Sequence, residues 1–181
     1  LADQLTLSLD RLGLATLDVC LLHNPEYFLT HATKLGGSET RPLPELRDEF
    51  YARLQRAFEY CEAQVQSGRL RGYGVSSNTS TAGSEEAGAT SLSRMIEAAT
   101  RAASTVGASS HHFTVLQCPM NLYESGAALV PNTGPGNGRT LLAEAMQDGI
   151  AVLVNRPKNA MPAQRGGVVR LADVSMPVAE A

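Results

Sequence analysis

The chain has 181 residues, 43% hydrophobic and 18% charged, with a net charge of −3. That is ordinary globular composition and enough chain for one domain with a real core. With no basic cluster and no apolar run near the roughly 18 residues of a membrane span, neither nucleic acid nor a membrane is expected as partner.

The first residues, Leu1-Ala-Asp-Gln, carry neither the basic nor the apolar region of a secretory signal. A start at Leu rather than Met reads as a fragment, a processed form or the ordered part of something longer. Residues 3–13 look like the end of a helix: Leu5, Leu9 and Leu12 fall on one face, and Gly13 suits the position just past the last turn. Next comes Leu17-Asp-Val-Cys-Leu-Leu-His23-Asn-Pro25, an apolar run that ends in a histidine and is stopped by proline. It predicts a buried strand delivering His23 to its C-terminal edge, where parallel α/β proteins bind ligands. A polar, Gly-containing insert is expected at 26–43. Pro44 then opens a long helix over 44–67, with Leu46, Phe50, Leu54, Ala57, Cys61 and Val65 inward and Gly68 closing it.

Leu70-Arg-Gly-Tyr-Gly-Val-Ser76-Ser77-Asn78 predicts a short strand ending in hydroxyls and an amide. Small residues at 79–91 read as loop. Residues 91–106 predict a helix with Leu92, Met95, Ile96 and Ala99 inward. Phe113-Thr-Val-Leu-Gln-Cys118 predicts a third strand, followed by Pro119. The glycines, prolines and asparagines of 126–138 mark another loop. A helix over 139–148, with Leu141, Leu142, Ala145 and Met146 inward, leads through Gly149 to the strand Ile150-Ala-Val-Leu-Val-Asn155. In the tail, 167–172 could form one more short strand.

The order is helix, then strand–helix three times, then strand. The strands are apolar runs rather than alternating ones, as expected where both sheet faces are covered. This predicts the α/β class with parallel strands and right-handed crossovers. No glycine-rich fingerprint follows any strand, which disfavours a doubly wound dinucleotide-binding domain and favours part of a (β/α)8 TIM barrel over residues 1–160, with 161–181 as a tail. Cys20, Cys61 and Cys118, odd in number and in apolar contexts, predict reduced thiols and a cytoplasmic protein. His111, His112 and Cys118 lack zinc-site spacing, so no metal is expected. His31, His111 and His112 read as solvated.

Four segments resemble, in order, the aldo-keto reductase superfamily. Ser8 to Pro25 is similar to the passage through the fourth barrel strand to the active-site histidine. Gly68 to Asn78 resembles the entry to the fifth strand, Gln117-Cys-Pro-Met-Asn-Leu-Tyr-Glu124 the end of the sixth, and Gly149 to Pro157 the seventh. The resemblance implies carbonyl reduction with a nicotinamide cofactor, NADP, acting on a small-molecule aldehyde or ketone. It implies that His23 orients the substrate carbonyl. It also implies that Gln117 and a Ser-Asn pair hold the nicotinamide carboxamide. That pair is read as Ser77-Asn78, with Ser76-Ser77, one residue earlier, as the alternative. Asn155-Arg156-Pro157 stands where the family often places a stacking tyrosine. The family's catalytic tyrosine, lysine and aspartate precede the histidine strand and have no counterpart in these 181 residues. Neither Tyr27 nor Tyr123, both near strand ends, has a matched lysine, so no turnover is expected from these residues alone.

Blander readings stand beside these. His23 could be a satisfied core histidine, Ser76 to Asn78 a turn or cap, and Gln117 a loop anchor. The competing function is a non-catalytic structural or interaction module, in which a protein partner covers the exposed edges of a partial barrel.

Overall fold

A computed structural model of the chain describes residues 1–35, 41–161 and 167–171. The chain forms helix α1 (Ala2–Leu12), strand β1 (Leu17–His23), helices α2 (Tyr27–Leu35) and α3 (Leu43–Gln66), strand β2 (Leu70–Ser76), helix α4 (Leu92–Thr105) and strand β3 (Phe113–Pro119). A short helix α5 (Gly126–Leu129) and strands β4 (Pro131–Thr133) and β5 (Arg139–Thr140) lead to helix α6 (Leu141–Asp148) and strand β6 (Ala151–Asn155). Strands β7 (Asn159–Ala160) and β8 (Val169–Arg170) follow and pair antiparallel.

The main sheet has four parallel strands in the order β1-β2-β3-β6, which is also their order along the chain. Every crossover therefore steps the same way. Right-handed connections then place the intervening helices on one face. The core shows that face. Cys20, Leu22, Tyr73, Val75, Leu116, Cys118 and Val152 from the strands cluster with Leu5 and Leu9 of α1, Phe50, Leu54 and Phe58 of α3, Met95 and Ala99 of α4, and Leu141 of α6. Phe58 sits 5.0 Å from the Tyr73 ring and 5.4 Å from Phe113. Gly74 is required where strands crowd: a Cβ there would meet the Val115 carbonyl at 2.0 Å.

The α/β class, the parallel strands and their alternation with helices agree with the sequence reading. Coverage of both sheet faces does not. Val19 and Leu153, pointing away from the helices, are 39% and 47% exposed. The strands are apolar although one face is open among the described residues, and those residues close no barrel. The insert at 26–43 also differs, because it contains α2. Its apolar residues Phe28, Leu29 and Ala32 recur at helical spacing, and Leu29 is fully buried in the core. On α3 the buried position is Phe58 rather than Ala57, while Leu12 and Met146, expected inward, are exposed. The 126–138 segment, expected as loop, holds α5 and β4, and the expected strand at 167–172 is the two-residue β8. The loop at 79–91 is held down by Asn132, whose Nδ2 donates to the carbonyls of Ser80 and Ala82, and by Arg47, which donates to those of Ser84 and Glu86.

Candidate functional site at the C-terminal strand ends

The parallel register sets the first row of the site. His23 lies opposite Ser76, and Ser76 opposite Gln117. Residues paired across neighbouring strands point to the same face, at strand spacings of about 4.8 Å. All three therefore stand on the face free of helices, at the C-terminal edge. The Ser76 hydroxyl donates to Gln117 Oε1 at 2.8 Å, and Gln117 Nε2 makes no hydrogen bond among the described residues. His23 is exposed and its ring makes no hydrogen bond among them either.

Ser77 points the other way. It is buried and shares a hydrogen bond with the Thr90 hydroxyl at 3.1 Å, and its Oγ accepts from Thr79 N–H. Of the four residues singled out in the sequence, His23 and Gln117 share the open face, Asn78 lies just beyond the end of β2, and Ser77 sits beneath it. Ser76, the alternative member of the pair, is the serine on the open face.

Asn78 belongs to a second, larger arrangement that ties the strand ends together. Its Nδ2 donates to Asn24 Oδ1 at 3.1 Å, and its Oδ1 accepts from Arg156 Nη2 at 2.9 Å. Its backbone N–H donates to Glu26 Oε1 at 2.8 Å. Arg156 also donates through Nη1 to Glu124 Oε1 at 2.8 Å. Asn121 Nδ2 donates to Glu124 Oε2 and to the Arg156 carbonyl, and Asn24 Nδ2 donates to the Tyr27 hydroxyl. Asn24 follows β1, Asn78 follows β2, Asn121 and Glu124 follow β3, and Arg156 follows β6. The belt therefore crosses all four strands.

Asn24 and Arg156 each hold a left-handed backbone, with φ of 49° and 58°. Asn visits that region at small cost, but for Arg it is an uncommon and strained choice that the surroundings must enforce. Strain of this kind gathers at binding and catalytic sites. Two buried acceptors at the same end have no partner among the described residues, Glu26 Oε2 and Asn155 Oδ1.

The opposite end of the sheet carries a polar cluster of another character. Glu62 is fully buried on α3. It accepts from the Tyr73 hydroxyl and the His112 backbone N–H, each at 2.7 Å, and lies 2.7 Å from His112 Nδ1. Burial and the neighbouring carboxylate push the Tyr73 hydroxyl's pKa well above its ordinary value. His112, expected to be solvated, is instead the partner of a buried carboxylate, because α3 packs behind β2 and β3 and brings position 62 to position 112. His111 Nδ1 is buried without a partner among the described residues, whereas His31 is exposed. All three cysteines are free. Burial raises the Cys61 thiol to about 12 and the Cys118 thiol to about 11, and raises Cys20 in the same direction.

Sequence reasoning missed Glu26, Asn24 and Glu124, and noted Arg156 only as a departure. The available signal was positional: each lies within five residues after the end of a strand of the parallel sheet. Among the described residues no group of three or more His, Cys, Asp or Glu is placed to hold a metal ion, and no helix is long and apolar enough to cross a membrane. No protein-family model matches this chain, and no curated protein matches it in sequence.

Proposed function

We propose that this chain supplies the nicotinamide-facing part of an NADP-dependent carbonyl reductase barrel, with strands β1, β2, β3 and β6 as four consecutive barrel strands. The observation that carries this is the His23–Ser76–Gln117 row. A histidine, a hydroxyl and an amide stand side by side on the helix-free face at the C-terminal edge. In a (β/α)8 barrel that face lines the interior and that edge is where chemistry is done. Chain-ordered strands with helices on one side support the same reading.

The residues fit the carboxamide end of a nicotinamide. A carboxamide needs a donor for its oxygen and an acceptor for its NH2. Among the described residues Gln117 Nε2 and one N–H of Asn78 remain as donors, and Asn155 Oδ1 is an acceptor without a partner, one that is buried and that a ligand reaches only once it is uncovered. The bound dinucleotide would supply hydride. His23 would hydrogen-bond the substrate carbonyl and hold it against the ring. The choice of NADP over NAD comes from the sequence resemblance: after β6, Arg156 and Lys158 are the cations before residue 161, and Arg156 is engaged by Glu124 and Asn78.

A proton must also reach the carbonyl oxygen. A tyrosine near its ordinary pKa of about 10 is a poor acid at neutral pH unless a cation lowers it. The chain has two lysines, Lys34 and Lys158. Tyr27 has Asn24 as its side-chain partner instead. The proposal is therefore that these residues bind and orient but do not turn over by themselves. The test is backbone amide shift mapping by NMR during addition of NADPH to millimolar concentration. The reading expects the changes to gather at 23–24, 76–78 and 117. Changes scattered elsewhere, or none, overturn it. Measurable carbonyl reduction by the chain, abolished in His23→Ala, overturns the claim that it lacks a proton donor.

One observation favours the second reading, an interaction module. The β1 edge has no strand partner among the described residues. It opens onto a groove of about 760 Å³ lined by Leu5 and Ser8 of α1, Leu17 and Leu22 of β1, and Phe50 and Leu54 of α3. Pull-down of a partner whose binding is lost on Leu22→Asp, with no NADPH response, is the outcome that prefers it.

A further inference from the structure

Arg156 is the residue that the carbonyl-reductase reading leaves without a task, yet it is the most constrained side chain at the site. Its backbone is left-handed, its Nη1 is held by Glu124, and its carbonyl is held by Asn121 Nδ2 at 3.1 Å. Glu124 is in turn fixed by Asn121 Nδ2 at 2.7 Å and by the Met161 backbone N–H at 3.1 Å. Of the Arg156 guanidinium N–H groups, one on Nη2 donates to Asn78 Oδ1.

A primary amide can turn over by half a rotation at little cost unless its neighbours distinguish oxygen from nitrogen. Here one neighbour does. With Oδ1 toward Arg156 and Nδ2 toward Asn24 Oδ1, both contacts are donor to acceptor. Turned over, the Asn78 NH2 would face the guanidinium, which can only donate, whereas the Asn24 amide, bonded to the Tyr27 hydroxyl, can turn with it. Arg156 therefore sets the orientation of the pair. The locked orientation leaves one Asn78 N–H without a partner among the described residues. Gln117 is not locked in this way, because the Ser76 hydroxyl that donates to its Oε1 can equally accept from its Nε2. Of the two amides, Asn78 is the one whose orientation is set by a group that can only donate.

We propose that Arg156 is a positioning residue that locks the Asn78 amide, so that the strand-end site selects a ligand bearing a carbonyl oxygen, the oxygen of a nicotinamide carboxamide. This rests on the nicotinamide reading above. Arg156 itself would not touch the ligand.

The test compares two dinucleotides that differ at that one atom, NADPH and its thionicotinamide analogue, in which sulfur, a weak acceptor, replaces the carboxamide oxygen. Dissociation constants are measured by fluorescence or NMR titration for the unaltered chain, for Arg156→Met and Arg156→Lys, and for Asn78→Asp, which keeps an acceptor for Arg156 but has no N–H to offer. One hydrogen bond to a neutral oxygen corresponds to a preference of about two- to tenfold. The expected result is a preference for oxygen in the unaltered chain that collapses toward one in Arg156→Met and Asn78→Asp and is partly restored in Arg156→Lys. A merely structural role for Arg156 would weaken both ligands equally and leave the ratio unchanged, which overturns the inference while the nicotinamide reading stands. If Arg156→Met fails to fold, the Asn78→Asp ratio decides in the same way. Absence of binding by either dinucleotide to the unaltered chain overturns the nicotinamide reading and this inference with it.

Discussion

Replacing Tyr73 with phenylalanine removes one oxygen from the centre of the molecule and almost nothing else. The ring is fully buried, 5.0 Å from Phe58 and 6.0 Å from Phe113, and Phe preserves those contacts. The lost group is the hydroxyl that donates to Glu62 Oε1 at 2.7 Å. Glu62 has no solvent to turn to, being fully buried, and keeps only His112. A hydrogen bond to a charged group contributes about 1.5–3 kcal/mol net. At a conversion of about 2–4 °C per kcal/mol for chains of this length, Tyr73→Phe lowers Tm by roughly 3–12 °C. Urea unfolding followed by circular dichroism at pH 7 measures the loss directly, with an unchanged denaturant slope. A loss under about 0.5 kcal/mol would refute the claim that Glu62 depends on this donor. The complementary change, Glu62→Leu, strands the Tyr73 hydroxyl and the His112 N–H together and costs more, about 3–5 kcal/mol. Equal effects of the two changes would contradict the same account.

Other outcomes follow from the geometry. Alkylation at pH 8 modifies the half-buried Cys20 first, while Cys61 and Cys118 react only on unfolding, because burial keeps both thiols protonated; mass spectrometry after timed quenching reads the order, and early modification of Cys61 contradicts it. The same raised thiols make the fold weaken as pH climbs from about 9, where an unfolded thiol ionises, toward about 12. At the acid end, hydrogen bonds from Arg41 and then Arg53 hold the Glu49 carboxyl below its usual range. Its stabilising contribution is present above the unfolded pKa and is lost as pH falls through the folded one. Glu49→Gln therefore flattens the acid limb of a pH–stability curve slightly, and a steeper limb contradicts the pairing. Asn132→Ala frees two carbonyls in the 79–91 loop and destabilises by about 1–3 kcal/mol, with faster proteolytic cutting inside that loop as the readout.

The strands and main helices were legible because local chemistry marks their ends. Pro25 and Gly68 sit where β1 and α3 stop, and Thr140 caps α6 by accepting from Ala143 N–H. The position of His23 and Gln117 at strand ends was legible for the same reason. What could not be read were pairings between residues far apart in the chain. Glu62 meets His112 across 50 residues, and Arg156 meets Asn78 across 78, and nothing in either local sequence names the partner. The side to which Ser76 and Ser77 point depends on strand phase. A one-residue shift exchanges them, so the preference for Ser77 over Ser76 as the serine facing the ligand could not be checked without the register. Helix α2 was hidden by its polar flank, since only Phe28, Leu29 and Ala32 announce it. The open sheet face misled because apolar strands read the same whether a second layer covers them or not.

The account turns on whether the strand-end row is a nicotinamide site, and the most direct measurement is the amide shift map of the chain titrated with NADPH. Changes that gather at His23, Ser76 to Asn78 and Gln117, and that disappear in Gln117→Ala, are what the account predicts. A map in which those amides stay fixed while NADPH is present at millimolar concentration contradicts it.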